Sequence, residues 1–178
     1  MKNVLLVIDM QNDFIDGALG TKEAQTIVGS VITRVRSYTE DPDGLVFATR
    51  DTHAPDYLQT QEGRNLPVEH CIEGTYGWQI CTDLADFIPE DRIFNKPTFG
   101  STELAAAMKD LYEAEGGNVT FEIAGLCTDI CVVSNALLLK ATLPEARITL
   151  DPTCCAGVTP EKHEAALETM RSCQIEIL

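Results

Sequence analysis

Short, wholly apolar runs alternate along this chain with longer amphipathic ones. Val4-Leu5-Leu6-Val7-Ile8 comes first and is closed by Asp9. Comparable runs predict strands over Asn3–Ile8, Gly44–Thr49, Arg92–Asn95, Asn118–Ala124, Ala146–Leu150 and Gln174–Leu178. Several are apolar at nearly every position, the pattern of a strand covered on both faces. Between them lie helical patterns. Thr21–Tyr38 places Ile27, Val31, Ile32 and Val35 on one stripe. Thr102–Glu115 follows a Ser101 cap, carries Leu104, Ala105, Met108 and Leu111, and is stopped by Gly116-Gly117. Ile130–Ala141 is apolar nearly all round and predicts a buried helix. Thr159-Pro160-Glu161 caps a last helix that runs to about Ser172. Strand–helix alternation implies an α/β fold, a parallel sheet between two helical layers. In such sheets chemistry gathers beyond the carboxyl ends of the strands.

Composition narrows the picture without naming a reaction. The 178 residues suit one domain, 1–178, with an ordinary content of apolar (44 %) and charged (23 %) residues. No apolar run approaches the length of a membrane span, and the first run lacks the length and cleavage site of a signal peptide. Seven cysteines, an odd number without an export signal, read as reduced thiols in the cytoplasm. Acidic residues outnumber basic ones 28 to 13, a net charge of −15, which disfavours nucleic acid and anionic membranes as partners.

Four chemistry-bearing groups fall where the strands end. Asp9 closes the first strand, either as a turn former or as a functional carboxylate. Asp51 and His53 close the second, and His70 follows in the same long loop, although the chain has only three histidines. One Asp and two His suit a catalytic first-row ion; the alternative is a hydrogen-bonded loop. Lys96 follows the third strand, as a surface residue or, if buried, as an ion-pair partner or catalytic cation. The fourth strand runs into Gly125-Leu126-Cys127-Thr128-Asp129-Ile130-Cys131. A glycine turn with Cys131 in the first turn of a helix predicts a depressed thiol pKa and amides aimed at an oxyanion. The alternative for Cys131 is a structural core thiol. No Cys-x-x-Cys occurs, which disfavours a thioredoxin-like redox role.

Together these segments resemble the isochorismatase-like cysteine hydrolase superfamily, and within it the nicotinamidases. The matching stretches are Val7-Ile8-Asp9-Met10-Gln11-Asn12-Asp13-Phe14, Thr49-Arg50-Asp51-Thr52-His53, Pro67-Val68-Glu69-His70-Cys71-Ile72-Glu73-Gly74-Thr75, Lys96-Pro97-Thr98-Phe99 and Gly125 to Val132. The resemblance implies a three-layer α/β/α fold with a six-stranded parallel sheet in the order 3-2-1-4-5-6. It implies a triad of Asp9, Lys96 and Cys131, a cis peptide at Leu126–Cys127, and an oxyanion hole from the Cys127 and Cys131 amides. It implies a divalent metal (Zn, Mn or Fe) on Asp51, His53 and His70, with Glu62 as a fourth ligand ahead of Asp56. Phe14, Leu66 and Tyr76 would contact a small-molecule amide substrate; Trp78 reads as packing. The implied reaction is deamidation of nicotinamide in NAD salvage through a thioester, by a homo-oligomer, with another small amide or carbamoyl compound as the alternative substrate. Cys131 favours amide chemistry over the vinyl-ether hydrolysis of isochorismatases proper. The sequence departs from the nicotinamidases at Leu66, where an aromatic residue is common, and in the spacing from Pro67 to His70. His163, Cys154 and Cys155 are expected to stand outside the site.

Overall fold

The computed structural model describes residues 1–178. Strand β1 (Lys2–Ile8) leads through a short α1 (Asn12–Ile15) into α2 (Lys22–Glu40) and β2 (Gly44–Asp51). A long connection carries α3 (Gln61–Asn65) and α4 (Thr82–Ala85) before β3 (Ile93–Lys96). Then follow α5 (Thr102–Ala114), β4 (Val119–Leu126), a π-helical turn (Thr128–Val132), α6 (Val133–Thr142), β5 (Arg147–Ala156), α7 (Pro160–Ser172) and β6 (Glu176–Ile177). The six strands are parallel and form one sheet in the order β3-β2-β1-β4-β5-β6, as expected.

The apolar runs have this form because the sheet has two cores. Alternate side chains of a strand point to opposite faces. In β1, Val4, Leu6 and Ile8 enter the core beneath α5, α6 and α7, while Leu5 and Val7 enter the core beneath α1, α2 and α4. All five are essentially buried. Each such side chain contributes about 1.5–3 kcal/mol on burial. Helix starts also follow the sequence: the Thr21, Ser101 and Thr159 hydroxyls accept the N–H groups of Ala24, Leu104 and Lys162.

The direction of strand order reverses between β1 and β4, so the crevice opens where both strands end. There Gly125 lies opposite Ile8. Its φ is +123°, and an added Cβ would stand 2.1 Å from the Ile8 carbonyl oxygen. Only glycine permits both the backbone conformation and the close approach.

Three expectations need correction. β5 does not stop at Leu150 but continues to Ala156, through Pro152. The ladder absorbs this by a register shift between Ile123 and Gly125, where a residue without an N–H is tolerated. β6 is only Glu176–Ile177, because Gln174 takes a positive φ of 66° and leaves the strand. The buried helix from Ile130 is instead a π turn followed by α6. Its buried residues are Asn135, Ala136 and Leu139, while Ile130, Val133, Leu137 and Leu138 are half-exposed.

Candidate active site

Asp9 is delivered by the end of β1, where the chain turns through a positive φ of 47°. A non-glycine residue in that region is held there by its surroundings. The Asp9 amide donates to the Thr49 carbonyl, and Asp9 Oδ1 accepts from Thr49 Oγ1 at 2.7 Å. Asp9 Oδ2 lies 2.6 Å from Lys96 Nζ, with both side chains buried. Lys96 ends β3 and is 1 % exposed, so it is no surface lysine. Its ammonium also stands 3.5 Å from Cys131 Sγ and 3.3 Å from Asp51 Oδ1. The chain thus gathers Asp9, Lys96 and Cys131 around one buried cation.

Burial opposes the Lys96 charge, but Asp9, Cys131 and Asp51 around it raise its pKa above the ordinary lysine value. The two carboxylates sharing that cation are pushed apart. Burial raises the Asp9 pKa against the pull of Lys96. For Asp51 burial is outweighed by His53, His70 and Lys96, and its pKa falls well below the usual carboxylate range. Asp51 is therefore a fixed anion, and Asp9 is poised to take a proton. Cys131 departs from its expectation: burial and Asp9 outweigh Lys96 and raise the thiol's pKa. The cysteine sits buried in a π turn, not in the first turn of an α-helix, so desolvation wins over the helix dipole.

The peptide Leu126–Cys127 is cis. The Cys127 carbonyl accepts the N–H groups of Ile130 and Val132, closing the turn, while the Cys127 N–H has no acceptor within the chain. Two contacts tie this turn to the start of α7. Thr128 Oγ1 and His163 Nδ1 are 2.8 Å apart, and Asp129 Oδ1 accepts the Val158 amide at 2.9 Å. His163 is far from the other histidines in role: it braces the turn.

The second constellation joins the first through Asp51. Its Oδ2 lies 2.9 Å from His53 Nε2 and 3.5 Å from His70 Nε2. All three residues are buried, with one ligand atom from each within 4.8 Å of the others. Glu62 Oε1 adds a fourth donor, 3.8 and 3.9 Å from the two histidines. Asp56 is not part of the group and stays exposed. His70 Nδ1 faces the Val68 carbonyl at 2.8 Å, so that nitrogen is the donor and Nε2 faces inward. Burial disfavours a charged His70, yet Asp51 and the Val68 carbonyl raise its pKa, so the cluster attracts positive charge. Tyr57 packs against both histidine rings, at 4.7 and 5.0 Å between centroids. A mixed N/O set of this kind, gathered and buried, fits a first-row divalent ion.

Sequence reading missed the residue that orients Asp51. Gln11 is fully buried; its Nε2 donates to the Asp51 and Trp78 carbonyls, and its Oε1 accepts the Asp51 amide. A side-chain amide in Met10-Gln11-Asn12, just past a strand end, was the available signal. Beside Cys131 lies a cavity of about 60 Å³, lined by Phe14, Leu66, Cys127 and Cys131 among others, and walled also by Leu19, Phe99 and Ile130, which sequence reading did not single out. Tyr76 does not reach it. That residue is 69 % exposed, and only its carbonyl is engaged, by Asn12 Nδ2. Trp78 is structural, with its indole N–H on Thr52 Oγ1 and the Arg50 guanidinium 3.7 Å above its ring. Cys155 is buried in β5 and Cys154 lies by Arg34, both away from this cavity.

Comparison with known proteins places the chain among relatives of one fold. The isochorismatase domain matches residues 3–178. The nicotinamidase of Schizosaccharomyces pombe is 26 % identical, over 98 % of this chain and 91 % of that protein. Among solved structures, the pyrazinamidase of Pyrococcus horikoshii in complex with zinc is 30 % identical with a TM-score of 0.81, covering 100 % of this chain and 99 % of that one. The nicotinamidase/pyrazinamidase of Bacillus subtilis is 27 % identical with a TM-score of 0.82, covering 99 % of each chain.

Proposed function

The chain belongs to the isochorismatase domain family, and from that premise we propose that it is a metal-assisted cysteine amidohydrolase that converts nicotinamide and water to nicotinate and ammonia. The observation that carries this reading is the placement of Lys96 Nζ among Asp9, Cys131 and Asp51, with Asp51 reaching on to His53 and His70. A structural ion pair needs one carboxylate; a buried thiol held in the same cluster calls for chemistry. The nicotinamidase and pyrazinamidase relatives support the substrate class.

Asp9 takes the Cys131 proton, which the raised pKa of its carboxyl favours, and Lys96 steadies the thiolate that results. The sulfur attacks the amide carbonyl carbon, forming a C–S bond and a tetrahedral oxyanion. The free Cys127 N–H and the Cys131 N–H stabilise that charge. Asp9 returns its proton to nitrogen as the C–N bond breaks, and ammonia leaves a thioester. Asp9 then accepts a proton from water, whose oxygen attacks the thioester carbon; as the C–S bond breaks Asp9 returns that proton to the Cys131 sulfur, restoring the thiol and releasing a carboxylic acid. Asp51, His53, His70 and Glu62 would hold a divalent ion that, when bound, supplies a Lewis-acidic anchor for an electron pair of the substrate. Phe14 and Leu66 line the space for the ring, and Gln11 fixes Asp51 between the two constellations.

The test is ammonia release from nicotinamide by protein supplied with zinc, manganese or iron(II), with Cys131→Ala as control. Release that vanishes in the control is the expected result. Equal release by both proteins would remove Cys131 from the mechanism. Silence toward nicotinamide, with another amide consumed through Cys131, would keep the mechanism and change the substrate.

A further inference from the structure

Asn135 is an amide set into the apolar stretch of α6, four residues after Cys131. Asparagine is a poor helix former, and an amide buried without partners is costly. This side chain is buried, and both of its polar atoms are engaged. Its Nδ2 donates to the Cys131 carbonyl at 2.8 Å and to the Phe99 carbonyl at 3.1 Å, while its Oδ1 accepts the Ser101 amide at 2.9 Å. Only this orientation of the amide serves all three, because two partners are acceptors and one is a donor.

Phe99 belongs to residues 97–100, which lie between β3 and the Ser101 cap of α5. No backbone–backbone hydrogen bond involves these four residues. Thr98 Oγ1 reaches only the Gly100 carbonyl, within the segment. Asn135 is therefore the one hydrogen-bond tie between this segment and the rest of the chain. The segment matters because of where Phe99 stands. Its side chain is 47 % exposed and lines both the cavity beside Cys131 and an outer cleft of about 700 Å³. Glu62, Leu66 and Ile130 are the other residues common to the two spaces, so a molecule moving from the cleft to Cys131 passes these four side chains. Glu62 and Leu66 are placed by α3, where the Leu66 amide donates to the Glu62 carbonyl. Ile130 is placed by the π turn, where its amide donates to Cys127 and its carbonyl accepts from Ser134 Oγ. Phe99 alone sits on a stretch without regular structure.

We propose that Asn135 is a positioning residue, which holds Phe99 against the turn that carries Cys131 and so fixes the width of the passage between the two spaces. This rests on the amidase reading of Cys131, for which it supplies the residue that sets how large an amide reaches the nucleophile. Because one nitrogen serves both carbonyls, Phe99 and Cys131 are held within the span of a single amide group. Loss of that nitrogen frees the whole segment, and Phe99 moves outward into the wider cleft.

The probe is alkylation of Cys131, followed by mass spectrometry of its peptide, with iodoacetamide and with the bulkier iodoacetanilide. Each rate is divided by that of free glutathione, and no turnover is needed. In the parent, iodoacetamide is expected to react at least about fivefold faster by this measure. Asn135→Ala removes both donors and is expected to shrink that ratio about threefold or more. Asn135→Thr keeps a hydroxyl that donates to the carbonyl four residues back and is too short to reach Phe99. It should shrink the ratio as well, and it answers for the alanine variant if that protein does not fold. In a Phe99→Ala background, removal of Asn135 should change the ratio no further, because the wall it holds is gone. Ser101→Ala removes the hydroxyl that caps α5 but leaves the N–H that Asn135 accepts, so it should lower stability without moving the ratio. In ammonia release from nicotinamide by the zinc-supplied protein, Asn135→Ala should raise KM about threefold or more with kcat within about twofold. A parent that does not discriminate between the reagents, a ratio unchanged or larger in the Asn135 variants, an equal change from Ser101→Ala, additivity with Phe99→Ala, or a loss confined to kcat would each overturn the inference. The expected ratios without ammonia release from any amide would instead uphold the passage and sink the amidase reading.

Discussion

Replacing Lys96 with Met keeps the length of the side chain and removes its charge. Lys96 is 1 % exposed, and its ammonium faces Asp9 at 2.6 Å and Asp51 at 3.3 Å. Asp51 retains His53 and His70, but Asp9 keeps only neutral partners, the Thr49 hydroxyl and the Cys131 thiol. The variant therefore strands one fully buried carboxylate. Breaking a buried pair from one side costs about 3–5 kcal/mol. For a chain of this size that corresponds to a fall in Tm of roughly 6–20 °C. The assay is urea unfolding of metal-free protein at neutral pH, followed by circular dichroism, with comparison at constant slope. The double variant Asp9→Asn/Lys96→Met removes both charges, and it is expected to recover more than half of the loss. A single variant within about 1 kcal/mol of the parent would show that the pair is hydrated or already neutral. A double variant no more stable than the single one would show that the loss comes from packing. Either result refutes the account of the site as one buried cation holding two carboxylates.

Gly125→Ala is expected to prevent folding or to cost more than about 3 kcal/mol by the same unfolding assay, since its Cβ would meet the Ile8 carbonyl at 2.1 Å with φ at +123°; a variant as stable as the parent would contradict that contact. His163→Ala removes the partner of Thr128 Oγ1, so alkylation of Cys131 by iodoacetamide should slow or quicken severalfold and kcat should fall with KM little changed; unchanged alkylation and kcat would reduce His163 to a surface residue. Glu122, paired with Arg34 at 3.2 Å, has its pKa raised by burial, so it binds its proton more tightly when folded. Such a carboxyl costs nothing below its unfolded pKa and destabilises as pH rises through the folded one, so the stability of Glu122→Gln relative to the parent should climb from pH 4 to pH 7; a decline over that range in chemical unfolding would reverse the assignment. Removal of divalent ions by a chelator should lower Tm, and return of zinc should restore it in proportion to the logarithm of its free concentration, with His53→Ala and His70→Ala insensitive; a Tm indifferent to metal in the parent would argue against an ion at Asp51.

The local pattern along the chain determined the strands, the helix caps and the glycine turn. Runs such as Val4–Ile8 are apolar at every position because both faces of the sheet are covered, and that requirement is written residue by residue. It also placed Asp9, Asp51, Lys96 and Cys131 at strand ends, which a parallel sheet necessarily brings to one edge. What tertiary structure alone decided is how those groups charge one another. The turn around Cys131 predicts a depressed thiol pKa, yet burial against Asp9 raises it, because desolvation depends on atoms that are distant in sequence. Gln11 acquires its role from Asp51 and Trp78, 40 and 67 positions away. The course of β5 past Pro152 depends on how β4 shifts register beside it. Leu19 and Phe99 become pocket walls through short loops and Ile130 through the π turn, while Tyr76 is left outside by the path of the long connection between β2 and β3, which carries no periodic signal. Periodicity is a property of neighbours along the chain, while burial, charge coupling and cavity shape belong to neighbours in space.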